Sequence, residues 1–370
     1  MIRFAKLTRC VAFVVSISVV CRYAHSDDLI PPTGNPNPRS MNQPSSTGKL
    51  TQSKSTWSIA IHGGAGGEPG RWSDKQIQDR LNGLRAALKK GAEMLDKSAA
   101  AVDVVQVVVQ ILEDNPNFNA GKGSVLNSVG DVSMDASIMD GSDLSCGAVA
   151  GVTTARNPIE LARAVRDKTP HVFLCGEPAD LFAKEIGLRL ESLDYFKTPE
   201  QTESWEKWKQ KQAAKGGSTS KFDHDTGDDR LFYLGTVGCV VRDQQGNLAA
   251  ATSTGGLLGK KYGRVGDSPI IGAGTYAKNA TCAVSCTGVG ELYIKHHIAS
   301  AVSSRMEYLN ETLQASAKMA IHTTLPTDSG GLIAVDASGN IELQFNTPMM
   351  ARGQATSDGT FQVGLTEMVD

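Results

Sequence analysis

The sequence lacks three features that would place it in a narrow class of proteins. Its 37 basic and 39 acidic residues give a formal net charge of −2, so no excess of charge points to nucleic acid or an anionic membrane as a partner. No two cysteines have CxxC spacing. The apolar run from Val11 to Val20 is too short for a comfortable transmembrane span. What remains is ordinary globular composition, 40% hydrophobic and 21% charged, sufficient for one large domain or two small ones.

Cysteine is also scarce in the part of the chain that should fold. Of seven cysteines, Cys10 and Cys21 fall in the leading segment, which leaves an odd number. An odd count at irregular spacing indicates neither a disulfide framework nor a metal site. We therefore expect most of the others to be buried, small apolar residues of strands. They are Cys146, Cys175, Cys239, Cys282 and Cys286.

The first 26 residues have the pattern of a cleavable secretory signal. Basic residues precede the apolar run, and Ala24 and Ser26 place small residues at the −3 and −1 positions of a cut. We expect a signal peptide over residues 1–26 and a secreted or periplasmic protein, with an uncleaved N-terminal anchor as the alternative. Residues 27–55 are rich in Pro, Asn, Ser and Gln. They predict a disordered tether, because they cannot bury enough surface to offset the entropy of ordering.

The remainder alternates between strand and helix patterns. Residues 57–61 alternate into a strand that runs into a glycine-rich loop at His62, and residues 75–98 and 99–113 predict two helices. No second ligand lies at metal spacing, so we interpret His62 as a packed, hydrogen-bonded loop residue. Residues 196–235 are polar and predict a flexible tail, with Trp205 and Trp208 on a short solvated helix within it. Strands in runs and helices in pairs indicate an α+β fold with stacked sheets covered by helices.

The most informative stretch is Gly235-Thr236, where the polar segment gives way to the apolar run from Val237 to Val241. This is the pattern expected of a chain that is cut before Thr236. Such a cut would join a threonine hydroxyl and a free α-amine, of reference pKa about 8, on one residue. Thr236 would then carry both a nucleophile and its base. The alternative is an ordinary β-branched residue at the start of a strand.

Four ordered motifs follow Thr236 and carry a resemblance to a known family. They are Thr252–Gly256, Gly263–Pro269, Gly272–Ala277 and Thr287–Glu291. With the motifs at His62–Gly66 and Phe118–Asn127, they cover roughly residues 57–353. The chain resembles the N-terminal-nucleophile hydrolases, specifically the plant-type L-asparaginase and isoaspartyl peptidase branch, with glycosylasparaginase as a close relative.

The resemblance implies an architecture. We expect a four-layer αββα sandwich, a single domain that cuts itself between Gly235 and Thr236. The products would be an α-subunit over residues 56–235 and a β-subunit over residues 236–370, which pair as an (αβ)₂ assembly. No cofactor is expected, and no membrane contact after signal removal. A structural monovalent cation, with no catalytic role, would be held by backbone carbonyls from about Leu112 to Ala120.

The resemblance also implies roles for individual residues. Thr236 would be the nucleophile, and Thr254 would hydrogen-bond its hydroxyl. Thr287 and Gly288 would stabilise the oxyanion of the tetrahedral intermediate, and Asn119 would belong to the surroundings of the active site.

A second group would bind the substrate. The family assigns Arg264 to the α-carboxylate and Asp267 to the α-ammonium group. Gly288 and Gly290 would line the same pocket, and Thr287 would also contact the substrate. The residues themselves favour this, since an arginine between glycines can present its planar fork to a carboxylate. The alternative is a surface ion pair in a loop.

These residues predict an amidohydrolase that forms a β-aspartyl ester on Thr236 and releases L-aspartate. Its substrates would be L-asparagine and β-aspartyl dipeptides. Two alternatives stay open from the sequence: a glycosylasparaginase, or an unprocessed, inactive relative that serves as a binding protein.

Overall fold

The computed structural model describes residues 57–67, 70, 72–214 and 235–370. The predicted signal peptide and tether lie outside the described residues. Of the cysteines expected to be buried in strands, Cys239, Cys282 and Cys286 are buried, Cys146 is half-buried and Cys175 is exposed. None of the described helices combines the length and apolarity that crossing a bilayer requires.

Thirteen described strands form two sheets. Nine belong to the larger sheet, in the order β13-β12-β11-β1-β5-β6-β2-β3-β4, and four to the smaller sheet, in the order β10-β9-β8-β7. All neighbours are antiparallel except β3 and β4. The strands are β1 (Ser58–Ala65), β2 (Met134–Asp140), β3 (Cys146–Val152), β4 (Phe173–Cys175), β5 (Val237–Arg242), β6 (Leu248–Thr254), β7 (Thr275–Ala277), β8 (Cys282–Gly288), β9 (Gly330–Asp336), β10 (Ile341–Phe345), β11 (Met350–Thr356), β12 (Phe361–Gly364) and β13 (Met368–Val369).

Nine α-helices accompany the sheets in the described part of the chain. They are α1 (Asp74–Asp96), α2 (Ala101–Glu113), α3 (Pro158–Lys168), α4 (Gly176–Glu185), α5 (Leu193–Phe196), α6 (Pro199–Ala214), α7 (Gly290–His296), α8 (Ile298–Leu309) and α9 (Leu313–Met319). A capping box between Ser73 and Gln76 starts α1, because the side chain of each bonds the backbone of the other. The predicted helices at 75–98 and 99–113 correspond to α1 and α2.

Three apolar clusters hold the elements together. One contains residues of α1, α2 and α3 with one face of the larger sheet, and a second contains residues of α8 and α9 with the smaller sheet. The third joins the two sheets through side chains such as Val240, Ala250, Ala283 and Ile333. Its members alternate along their strands with members of the outer clusters, since successive side chains point to opposite faces of a sheet. The α+β expectation is thus met.

The prediction of a flexible tail from residue 196 is wrong for its first half, because α6 occupies Pro199–Ala214. Trp208 is buried against Val125 and Leu258. Trp205 Nε1 donates to the backbone carbonyl of Asn127 at 2.9 Å. The short helix expected around these tryptophans is present, but it is docked rather than solvated, since two tryptophans suffice to hold it on neighbouring loops.

Strand register brings the predicted catalytic residues together. Val237 of β5 lies opposite Ser253 of β6, so Thr236, one residue earlier, adjoins Thr254. On the other side of β5, Gly238 lies opposite His62 of β1. Because β5 begins directly after Thr236, that residue stands at the end of a buried strand in the middle of the larger sheet.

Candidate active site

Two threonine hydroxyls form the centre of the site. Thr236 Oγ1 donates to Thr254 Oγ1 at 3.2 Å. Thr254 Oγ1 also accepts the backbone N–H of Gly256 at 3.0 Å, which holds the side chain in one orientation. Thr254 is 3% exposed, so the pair is shielded from bulk water on that side. The Thr236 hydroxyl therefore has a fixed neighbour at hydrogen-bonding distance.

Asn119 packs directly against Gly235, the residue before Thr236. Its Oδ1 accepts the N–H of Val125 at 2.9 Å, and its Nδ2 donates to the carbonyl of Gly256 at 2.8 Å. A Cβ on Gly235 would stand 1.8 Å from the Cβ of Asn119. Only glycine fits at this position, so the predicted scissile bond lies against the side chain of Asn119.

The predicted oxyanion residues stand at the end of β8. Thr287 is buried, and its Oγ1 accepts the N–H of Ala65 at 3.3 Å. Gly288 has φ +149°, and a Cβ there would stand 2.1 Å from the carbonyl oxygen of Ser329. The backbone therefore passes so close to the next loop that a side chain is excluded, and Gly288 presents backbone alone to the pocket.

One pocket contains six of the residues that the sequence predicts. It is lined by Asn119, Thr236, Thr254, Arg264, Asp267 and Gly288, together with their neighbours. Thr287 and Gly290 do not line it. Gly290 instead packs against the side chains of Arg264 and Asp267, since a Cβ on Gly290 would stand 2.9 Å from both Arg264 Nη2 and Asp267 Oδ1.

Asp267 is a buried carboxylate with one oxygen unused. Among the described residues, its Oδ2 has no hydrogen-bond partner. Burial raises the pKa of Asp267 to about 7, against the opposing effect of the Arg264 guanidinium. A desolvated carboxylate that lines a pocket calls for a cationic partner. The α-ammonium group of an amino acid has the required charge and donors.

Arg264 differs from the expectation in one respect. Its Nε and Nη2 donate to the two carboxylate oxygens of Glu291, each at 2.9 Å. Part of the guanidinium fork is therefore occupied by a protein carboxylate. The interaction orients Arg264 and helps raise its pKa. Sequence reasoning missed this role of Glu291, although the residue closes the Thr287–Glu291 motif.

A buried pair of opposite charges, which was not predicted, lies next to the pocket-lining residue Gly256. Lys260 Nζ stands 3.8 Å from Asp135 Oδ2, and their side chains are 3% and 0% exposed. Burial lowers the pKa of Lys260 and raises that of Asp135. Lys260 Nζ also lies 2.6 Å from the place that a Cβ on Gly256 would take. The pair thus supports the loop after Thr254. The sequence signal that could have revealed this pair was Asp135, a charged residue inside a predicted apolar strand.

We expect Lys260→Met to destabilise the protein by about 3 kcal/mol, because it leaves the Asp135 carboxylate buried without its cation. Urea unfolding followed by circular dichroism measures the change. Lys261→Met, at a partly exposed neighbour, is the matched control. Adding Asp135→Asn should recover much of the loss, and a double variant no more stable than Lys260→Met would contradict this account.

His62 is fully buried on β1. Its Nδ1 is 2.9 Å from the carbonyl oxygen of Thr236, and its Nε2 is 2.9 Å from Ser285 Oγ. Burial lowers its pKa to about 4. The interpretation of His62 as a packed, hydrogen-bonded residue is confirmed, although it lies on a strand rather than in a loop. In the described part of the chain, no group of three or more His, Cys, Asp or Glu side chains is arranged to hold a metal.

Backbone carbonyls gather in the loop that follows α2. The carbonyl oxygen of Glu113 is 2.5 Å from the place a Cβ on Gly121 would take. Those of Phe118 and Pro116 are 2.1 and 2.7 Å from the corresponding place on Gly123. At both glycines another stretch of backbone therefore packs too closely for a side chain to fit.

Comparisons with known proteins agree with the site. A family model described as asparaginase matches residues 55–365. Probable isoaspartyl peptidase/L-asparaginase 2 of Arabidopsis thaliana is 41% identical, over 84% of this chain and 99% of that protein. The isoaspartyl peptidase of Salmonella typhimurium is 42% identical, over 83% of this chain and 97% of that protein. The isoaspartyl peptidase/L-asparaginase of Homo sapiens is 39% identical, over 83% of this chain and 95% of that protein. The chain belongs to the asparaginase family of N-terminal-nucleophile hydrolases.

Proposed function

We propose that the protein hydrolyses the side-chain amide of L-asparagine and the isopeptide bond of β-aspartyl dipeptides, releasing L-aspartate. One observation carries the proposal. The Thr236 hydroxyl, 3.2 Å from that of Thr254, shares a pocket with Arg264 and the buried carboxylate of Asp267. The relatives named isoaspartyl peptidase or L-asparaginase support the choice of substrates.

In the proposed reaction, the bond between Gly235 and Thr236 is first cut, and the new α-amine of Thr236 becomes the base. The amine takes the hydroxyl proton while Oγ1 attacks the β-carbonyl carbon of the substrate. Gly288, which lines the pocket, would stabilise the resulting oxyanion, with Thr287 beside it at the end of β8 as the second proposed donor. The protonated amine then gives its proton to the leaving nitrogen as the C–N bond breaks. Water hydrolyses the β-aspartyl ester and restores the Thr236 hydroxyl.

The architecture proposed with this function is the four-layer αββα sandwich. Support comes from the apolar cluster between the sheets and from the helices on their outer faces. We further propose the two-chain product, its (αβ)₂ pairing and a secreted or periplasmic location that follows signal removal. The cation would hold the loop from Leu112 to Ala120, which carries Asn119, and would take no part in the chemistry.

Two measurements on the purified protein test the proposal. A denaturing gel should show two fragments, and the smaller should begin Thr-Val-Gly-Cys on N-terminal sequencing. Aspartate release should be measured with L-asparagine, a β-aspartyl dipeptide and glycosylated asparagine. A single intact band without turnover would favour an inactive relative. Turnover of glycosylated asparagine alone would favour a glycosylasparaginase.

Thr254→Val is expected to lower turnover by about 10²-fold, because it keeps the shape of the side chain and removes the hydroxyl beside Thr236. The KM for L-asparagine should change little, since Arg264 and Asp267 are untouched. Steady-state kinetics on the fully processed variant make the measurement, with Thr254→Ser as the variant that keeps the hydroxyl. Near-normal turnover of Thr254→Val would make Thr254 a purely structural residue.

A further inference from the structure

A chain of buried hydroxyls leads from His62 toward the substrate pocket. Ser285 Oγ lies 2.7 Å from Thr252 Oγ1, and Thr275 Oγ1 donates to Thr252 Oγ1 at 2.6 Å. Ser137 Oγ lies 2.8 Å from Thr275 Oγ1 and 2.6 Å from the carbonyl oxygen of Ser268. We call Ser285, Thr252, Thr275 and Ser137 the hydroxyl chain; each of them is 0% exposed.

The carbonyl that His62 bonds sets the direction of the hydrogen bonds at that end of the hydroxyl chain. The carbonyl oxygen of Thr236 can only accept, so Nδ1 of His62 must carry a proton and donate to it. A neutral imidazole then has an accepting Nε2, to which the Ser285 hydroxyl donates. Burial lowers the pKa of His62 to about 4, so the ring is neutral at the pH of an ordinary assay. With its proton used on His62, Ser285 accepts from Thr252, which in turn accepts from Thr275. Ser137 has one proton for two acceptors, Thr275 Oγ1 and the carbonyl oxygen of Ser268.

The bond from His62 acts where the strand pairing stops. Paired residues of β1 and β5 end at His62 and Gly238, two residues short of Thr236. The carbonyl carbon of Thr236 is bonded to the Cα from which the side chain with the nucleophilic hydroxyl projects. After the proposed cleavage, Thr236 is a chain terminus, and termini fray unless they are tied down. Holding this carbonyl therefore holds the direction in which the hydroxyl points.

We propose that the hydroxyl chain keeps His62 in the Nδ1–H tautomer, and that His62 thereby orients Thr236 toward its substrate. The inference rests on the proposed function, since it concerns the same nucleophile. His62 does not line the pocket, and it contacts the backbone carbonyl of Thr236 rather than the hydroxyl, so it is a positioning residue. The far end of the chain reaches the carbonyl of Ser268, the residue after Asp267. One buried network thus links the nucleophile to the loop that holds the α-ammonium group.

The kinetic test uses Thr252, because its side chain offers a near-isosteric pair of variants. Thr252→Val interrupts the hydroxyl chain in the middle, and Thr252→Ser restores the hydroxyl. We expect kcat for L-asparagine to fall about tenfold in Thr252→Val, the factor that corresponds to one ordinary hydrogen bond. KM should stay within about twofold, and Thr252→Ser should recover most of the turnover. The matched control is Ser303→Ala, which removes a buried hydroxyl bonded to Thr281 instead.

The tautomer is tested separately by ¹⁵N NMR of histidine-labelled protein, with His62→Asn to assign the signals. From about pH 8 to about pH 5, Nδ1 of His62 should be protonated and Nε2 unprotonated, and Thr252→Val should shift the Nε2 signal. A protonated Nε2, or a kcat in Thr252→Val equal to that of Ser303→Ala, would overturn the proposal. A processed protein that hydrolyses neither L-asparagine nor a β-aspartyl dipeptide would contradict the proposed function but not this inference. The tautomer and its response to Thr252→Val would then decide the inference.

Discussion

Thr236→Ala is expected to leave a single uncut chain and to abolish turnover. Alanine lacks the hydroxyl that attacks the preceding peptide bond during self-cleavage and the substrate amide afterwards. Removal of a catalytic nucleophile costs on the order of 10⁶-fold in rate, so aspartate release should fall to background. The measurements are a denaturing gel and a coupled assay for aspartate with L-asparagine as the substrate.

The control for this variant is Thr236→Ser, which keeps a hydroxyl on the same carbon. The Thr236→Ser chain should be cut at the same bond and retain measurable turnover. If the effect of Thr236→Ala came only from a disturbance of β5, cleavage and turnover would be impaired in both variants alike. A Thr236→Ala chain that is still cut and active would remove Thr236 from the mechanism. A fragment that begins at any other residue would do the same.

Asp267→Asn is expected to remove the preference for a free α-amino group. In the wild-type protein, the Asp267 oxygen that lacks a partner among the described residues would receive the substrate ammonium. Breaking such a buried pair from either side costs several kcal/mol. We therefore expect N-acetyl-asparagine to be cleaved about 10³-fold less efficiently than L-asparagine by the wild type. Asp267→Asn should lower kcat/KM for L-asparagine by a similar factor. The kcat/KM values of this variant for L-asparagine and N-acetyl-asparagine should then lie within about tenfold of each other.

The ratio of kcat/KM values for the two substrates is the quantity to compare, because it cancels differences in stability between variants. Assays belong at about pH 8, above the pKa of about 7 to which burial raises Asp267, so that its carboxylate is ionised. Asp243→Asn is the matched control, since Asp243 is equally buried but binds backbone amides of α2 and its own turn. Equal rates on both substrates in the wild type would refute the ammonium site.

The catalytic elements that the sequence predicted are those whose signals are local. The change from polar to apolar composition at Gly235-Thr236 is visible within a few residues. So are the glycines of the motifs, several of which stand where no side chain fits, as Gly288 does. The family assignment followed from such motifs in order and is confirmed by the comparisons. The segment from residue 196 was predicted to be a flexible tail with a short solvated helix, because its many polar residues outweighed the two tryptophans that dock α6.

What the sequence determined by itself is the family, the mixture of strands and helices, and the residue types at the nucleophile and at the charged end of the pocket. Each depends on spacing along the chain, which composition and periodicity report directly. Only the tertiary structure decided which side chains meet. Glu291 lies 27 residues from Arg264, and Ser285 lies 223 residues from His62. Such contacts depend on strand order and register, which place distant residues on one face of a sheet and leave no periodic trace in the sequence.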